Sequence, residues 1–214
     1  IVPGWEVCDP EHPVGQEILE IGKRSGLRDS GGKMQYDQTI ITPKGLAVHI
    51  RNGVASDGSA VLENFNLTHA ETDYLLSYPD ENHFDAEQES RYLEKKETSP
   101  NEIELIAFVD GKVAGTAGID AIGPQYKVAH RAEFGISILK EYWGLGIGRA
   151  LMGACIQCAK AAGYAQLELD VVAENTRAIS MYQTAGFVEY GRNPKGFRSR
   201  NAGYQELISM RLEL

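Results

Sequence analysis

With 214 residues, 43% hydrophobic and 24% charged, the chain is long enough for one sizeable α/β core and too short for two comfortable domains. Its formal net charge of −9 argues against general nucleic-acid binding, which needs a basic face to neutralise phosphates. No run reaches the roughly 18 apolar residues of a membrane span, so neither a nucleic acid nor a membrane is an expected partner. An acidic surface does tolerate a cationic amine.

The first residue is Ile1 rather than methionine, which points to trimming or an incomplete chain, and Ile1 to Pro13 lacks the basic-then-apolar order of a secretory signal. Three cysteines, an odd number, argue against a disulfide framework and for a reducing, cytoplasmic setting. Cys155 and Cys158 form a C-x-x-C inside an Ala-rich helical stretch. With no second Cys/His pair nearby they read as small core residues, and no metal is expected.

In chain order, Val14 to Lys23 reads as a short helix and Asp29-Ser-Gly-Gly32 as a turn or linker. Leu46–Ile50 has strand character. Ser56-Asp57 reads as the cap of a helix running through Val61, Leu62 and Phe65, and a second helix is expected over Asp85–Lys96. Glu104–Val109 and Lys112–Ile119 are strands joined at Asp110-Gly111, a strong hairpin signal. Ala132–Leu139 is another strand. Ile147–Ala162 is a helix ended by Gly163, and Gln166–Val172 a strand with alternating Leu167, Leu169 and Val171. Thr176–Thr184 is a helix stopped by Gly186, and Phe187–Tyr190 and Tyr204–Leu212 close the pattern as strands. The order implies a mixed sheet with helices on both faces.

The most informative segment is Trp143-Gly-Leu-Gly-Ile-Gly-Arg149. Glycines at alternate positions let the backbone turn tightly and leave its amides uncovered. A helix begins there, so those amides and the positive end of the helix dipole converge on one place, an anion cradle suited to a pyrophosphate. Arg149 adds a cation. A dinucleotide fold would need glycine at 149 and a loop directly after its strand, whereas Lys140-Glu-Tyr142 intervenes. A triphosphatase loop would need Gly-Lys-Ser/Thr, which is absent.

The run from His130 to Leu151 resembles the acetyl-CoA-binding motif of the GNAT superfamily of N-acetyltransferases, written Q/R-x-x-G-x-G/A. Gly146 and Gly148 match it, while Trp143 stands where the leading Gln or Arg is usual. Val172–Phe187 resembles the family's N-x-x-A-x-x-x-Y-x-x-x-G-F segment through Asn175, Ala178, Tyr182, Gly186 and Phe187. The likeness covers roughly residues 45–214 and is specific from 130 to 190. It implies a mixed, mostly antiparallel central sheet of about seven strands, α/β in class, splayed at the acetyl-CoA site. Residues 41–214 would be the N-acetyltransferase domain and 1–40 an N-terminal extension.

By the same resemblance Ile136, Ser137 and Ile138 would pair with the pantetheine arm like an added strand. Trp143, Gly144, Leu145, Gly146, Ile147, Gly148 and Arg149 would hold the pyrophosphate. Asn175 and Tyr182, seven residues apart, share a helix face. Asn175 reads either as a helix N-cap or as a hydrogen-bond partner of pantetheine. Tyr182 reads either as a core aromatic or as the acid that protonates the departing thiolate. Glu133 is the candidate general base, its competing reading being a salt bridge with Arg131 or another basic residue. A backbone N–H near Ile138 would hold the oxyanion. Phe197, Tyr204 and Glu206 would border the acceptor.

The function implied is acetyl transfer from acetyl-CoA to a primary amine in a ternary complex, as in small-amine and amino-acid acetyltransferases of bacteria. Acetylation of a protein N-terminus or lysine, and a CoA-binding module without turnover, are the alternatives. The closing strands offer a homodimer surface.

Overall fold

The computed structural model describes residues 27–29 and 33–214. The helix read over 14–23 lies outside these residues. The strands and α-helices among these residues follow one another as β1 (Leu27–Asp29), β2 (Met34–Ile41), β3 (Ala47–Asn52), α1 (Gly58–Glu71), α2 (Ala86–Thr98), β4 (Ile103–Val109), β5 (Lys112–Ala121), β6 (Arg131–Ile138), α3 (Ile147–Ala161), β7 (Gln166–Val172), α4 (Thr176–Thr184), β8 (Val188–Ser199) and β9 (Gly203–Glu213). The strands form one sheet in the order β1-β2-β3-β4-β5-β6-β7-β9-β8. Every pairing is antiparallel except β6 with β7. Among the described residues the sheet has nine strands, two more than the seven read in the sequence.

The two additional strands are β1 and β2. In β2 the buried residues Met34 and Tyr36 alternate with Gln35 and Asp37, and Asn52 ties it to β3 by accepting from the Tyr36 amide at 2.7 Å and donating to the Met34 carbonyl at 2.9 Å. The β4–β5 turn is set by its own residues. Asp110 and Gly111 take φ of 49° and 77°, the left-handed pair that a two-residue hairpin requires. Asp85 and Gln88 close a reciprocal capping box at the start of α2. Asp57 behaves differently from the cap read in the sequence. It precedes α1, but its carboxylate is engaged by Arg51 at 2.7 Å and by the Val54 amide at 2.9 Å, so it makes no cap hydrogen bond.

Strand alternation divides the sheet into two faces. Leu105 and Ala107 belong to the large core under α3, with Ile147, Leu151, Cys155 and Cys158 on the helix side. Ile106, between them, packs with Val61 of α1 and Leu93 of α2 on the opposite face. Cys155 and Cys158 are free and buried, and burial raises both thiols, Cys158 to about 12, so they stay protonated as core residues. No helix among the described residues is long and apolar enough to cross a membrane.

Candidate active site

The parallel pairing of β6 with β7 covers only Arg131↔Gln166, Ala132↔Leu167 and Glu133↔Glu168. Beyond Glu133 the strands part, leaving a fork. Which backbone groups face it follows from the other edge of β6. Leu139 donates to the Ala114 carbonyl at 3.0 Å, which makes Gly115↔Ile138 a non-hydrogen-bonded pair. By alternation, Ser137 bonds toward β5, while Ile136 and Ile138 turn their N–H and C=O groups into the fork. That is an open strand edge of the kind an extended ligand can pair with.

The fork opens into a cavity of about 560 Å³ that runs between the start of α3 and the inner side of α4. Ile136, Ser137, Ile138, Trp143, Gly144, Gly146, Gly148, Arg149, Asn175 and Tyr182 all line it. Leu145 and Ile147 do not, and the Ile147 side chain is buried in the core. Gly144 and Gly146 have φ of 77° and 94°, values only glycine takes without strain. Gly148 serves a different purpose. A Cβ there would stand 3.0 Å from Met181 Sδ and 3.2 Å from Ile138 Cδ1, so its bare backbone sets how closely α3 approaches α4 and β6.

Gly146 is the N-cap of α3 and provides no side-chain cap. The first-turn amides of Gly148 and Arg149, two residues that line the cavity, are therefore left without a side-chain partner. Neither α3 nor α4 carries an acidic residue in its first turn, and each carries an arginine there, Arg149 and Arg177. A cation in this position opposes the helix dipole by about 0.3–1 kcal/mol, an arrangement that an anion bound between the two helices relieves. Among the described residues neither arginine is in an ion pair. No sequence motif marks Arg177. Its legible signal was a cation on the wrong end of a helix.

Trp143, at the position where the motif usually has Gln or Arg, acts on the protein itself. Its Nε1 donates to the Ile138 carbonyl at 2.7 Å and fastens the loop to the fork. Arg177 and Lys140 lie 5.5 and 5.9 Å from its ring. Thr72, Tyr74 and Leu75, from the segment after α1, complete the wall. No motif marks them, and only the fold brings them here.

Tyr182 is buried and held by rings, edge-on to Phe134 at 6.2 Å and tilted against Phe187 at 5.8 Å. Burial raises its phenol, which therefore keeps its proton at neutral pH. The hydroxyl has no hydrogen-bond partner among the described residues. Asn175 is the N-cap of α4, its Oδ1 accepting from the Ala178 amide at 3.3 Å. Both readings made for it are compatible, since its Nδ2 is left over beside the cavity.

Glu133 does not line the cavity. It is exposed at the vertex of the fork, between Asp120 on β5 and Glu168 on β7 in register. The salt bridge weighed for it goes elsewhere: Arg131 binds Glu168, through its Nε and through Nη2 at 2.6 Å. Lys96 likewise binds Asp120. Of three carboxylates in one row, the outer two are neutralised and Glu133 has no ion-pair partner among the described residues. Desolvation and the charges of Asp120, Asp170 and Glu168 raise its pKa, making it a stronger base.

The model of the Acetyltransferase (GNAT) family matches residues 67–187. The L-amino acid N-acetyltransferase AaaT of Escherichia coli strain K12 is 30% identical over 120 residues, 56% of this chain and 73% of that protein. The crystal structure of a GNAT-family acetyltransferase from Streptococcus pneumoniae is 30% identical, covers 78% of this chain and 99% of its own, and superposes with a TM-score of 0.75. The yncA structure from Salmonella typhimurium, solved with its cofactor acetyl-CoA, shares the fold at 20% identity and a TM-score of 0.69, covering 78% of this chain and 94% of its own.

Proposed function

Because the chain belongs to the GNAT acetyltransferase family and is an acetyl-CoA-dependent N-acetyltransferase, we propose that its acceptor is a small primary amine or amino acid, acetylated by direct attack in a ternary complex. The observation that carries this reading is the fork. A strand edge open at Ile136 and at the Ile138 amide lies between an uncapped helix start and an unpartnered phenol at Tyr182. The amino-acid acceptor is suggested by the name of the Escherichia coli relative. Residues 41–214 are proposed as the catalytic domain and 1–40 as an extension from which β2 pairs onto β3.

Acetyl-CoA supplies an acetyl group already activated as a thioester. Ile136 and Ile138 hold the pantetheine arm along the strand edge, with the amide of Ile138 turned toward the carbonyl oxygen. The amides of Ile147, Gly148 and Arg149, with the guanidinium groups of Arg149 and Arg177, hold the pyrophosphate. Glu133 takes a proton from the acceptor ammonium, directly or through one water, freeing the nitrogen lone pair for attack on the carbonyl carbon. The C–N bond forms, the C–S bond breaks, and Tyr182 gives its proton to the leaving sulfur. No covalent enzyme intermediate is needed.

The test is thiol release from acetyl-CoA with a panel of amino acids, polyamines and peptides, for wild type and Tyr182→Phe. The reading expects an amine-dependent rate in wild type that falls by about 100-fold in the variant. Binding of acetyl-CoA without acceleration by any small amine would contradict it.

A further inference from the structure

On the face of the sheet that carries α1 and α2, two glycines stand side by side, Gly118 on β5 and Gly135 on β6. Gly135 is exposed, and a Cβ built on it would meet nothing within 4 Å. The space a side chain at Gly118 would fill is taken instead by Glu104, whose Oε2 lies 2.3 Å from the ideal Cβ position. Glu104 sits directly opposite Gly118 on β4, so its side chain reaches across onto β5 above Gly118, one strand away from the open space over Gly135. Facing cross-strand Cβ positions are about 5 Å apart, which puts one small polar group between that carboxylate and the space over Gly135.

The hollow lies where chemistry needs it. Pairing of β6 with β7 ends at Glu133, and Gly135 is the next residue on the same face. Ser137, the one after, lines the donor cavity. The hollow thus has carboxylates at two sides and opens onto the fork at the third. The groups that face Glu104 are Glu89, Tyr92 and Lys96 from α2, and Thr116 and Asp120 from β5. Lys96 is engaged by Asp120 and by the Ile119 carbonyl at 3.3 Å. Burial, opposed by Thr116 and Lys96 and reinforced by Asp120 and Glu89, raises the Glu104 carboxyl to about 7, a proton affinity suited to exchange with an amine near neutral pH.

We infer that the reacting ammonium of the acceptor is seated over Gly135, beside the Glu104 side chain that covers Gly118, with Glu104 as its second carboxylate alongside Glu133. This rests on the reaction proposed above and adds its acceptor geometry. The seat favours a cationic primary amine presented end-on, and it makes Glu104 a specificity-determining residue.

The test measures kcat/KM for the fastest acceptor among a panel of L-amino acids and linear diamines, and acetyl-CoA affinity by calorimetry, in the full chain and in Gly135→Val and Glu104→Gln. Valine fills the hollow at an exposed strand position with no neighbour to clash, so the fold is kept. Both variants are expected to bind acetyl-CoA like wild type while kcat/KM for the amine falls about 10- to 100-fold, the worth of one charge-assisted hydrogen bond. Should Glu104→Gln lose its fold, seen as lost acetyl-CoA binding, Gly135→Val decides alone. An active wild type with Gly135→Val equally active overturns the seat and leaves the reaction standing. A wild type inactive on every amine overturns both.

Discussion

Replacing Trp143 by phenylalanine isolates one hydrogen bond. The ring remains, and with it most of the packing near Arg177 and Lys140, 5.5 and 5.9 Å away. What disappears is the 2.7 Å bond from Nε1 to the Ile138 carbonyl. A neutral hydrogen bond of this kind contributes about 1 kcal/mol net. Because the bond joins the glycine loop to the strand edge that faces the fork, its loss frees the phosphate cradle from the pantetheine rail, two parts one ligand must engage together. If the full amount appears in ligand binding, the acetyl-CoA Kd rises about fivefold. In the unliganded chain the same loss lowers Tm by roughly 2–4 °C. Calorimetric titration and a thermal melt read the two quantities separately. A Trp143→Phe variant with wild-type Kd and wild-type Tm would refute the assignment of Trp143 as the tie between loop and fork.

Arg177→Ala is expected to weaken acetyl-CoA binding by about tenfold and to flatten the salt dependence of Kd, read by titration at two ionic strengths. Gly148→Val should separate α3 from α4 and abolish acetyl-CoA binding in a chain whose melting transition is still cooperative, because its Cβ would press on Met181 and Ile138. Two carboxyls give stability a pH dependence of opposite sign. Glu168 is held below its ordinary pKa of 4.5, first by Arg131, so its contribution is present above that value and is lost as pH falls through the lower folded value. Melts at acid pH should show Glu168→Gln losing less stability than wild type. Glu104 is raised to about 7, so wild type should lose stability between pH 4.5 and 7 relative to Glu104→Gln.

Most of the sheet was legible because its strands alternate and its turns use residues that specify them, as Asp110-Gly111 does. β7 and α4 fall on the residues read for them, Gln166–Val172 and Thr176–Thr184. β2 went unread because its one clear alternation, around Met34 and Tyr36, follows a Gly-Gly that reads as a linker. β8 was read only to Tyr190 because Gly191, Pro194 and Gly196 resemble a loop. The edge of the sheet absorbs them as register shifts at Glu189/Gly191 and Asn193/Phe197. At the site, the glycine loop and the Asn175–Tyr182 spacing led to residues that meet around one cavity, since local chain geometry determines both. The partner of Arg131, the reach of Glu104 over Gly118, and the wall formed by Thr72, Tyr74 and Leu75 depend on contacts between distant segments, and no local pattern encodes them.

One acetyl-CoA is expected to lie in the fork with its thioester beside Tyr182. A crystal structure of the chain with acetyl-CoA tests it most directly. It should show pyrophosphate on the amides of Ile147 to Arg149, pantetheine along Ile136 and Ile138, and the thioester sulfur within hydrogen-bond reach of the Tyr182 hydroxyl. Acetyl-CoA bound anywhere else, or in the fork with its sulfur turned away from Tyr182, would contradict it.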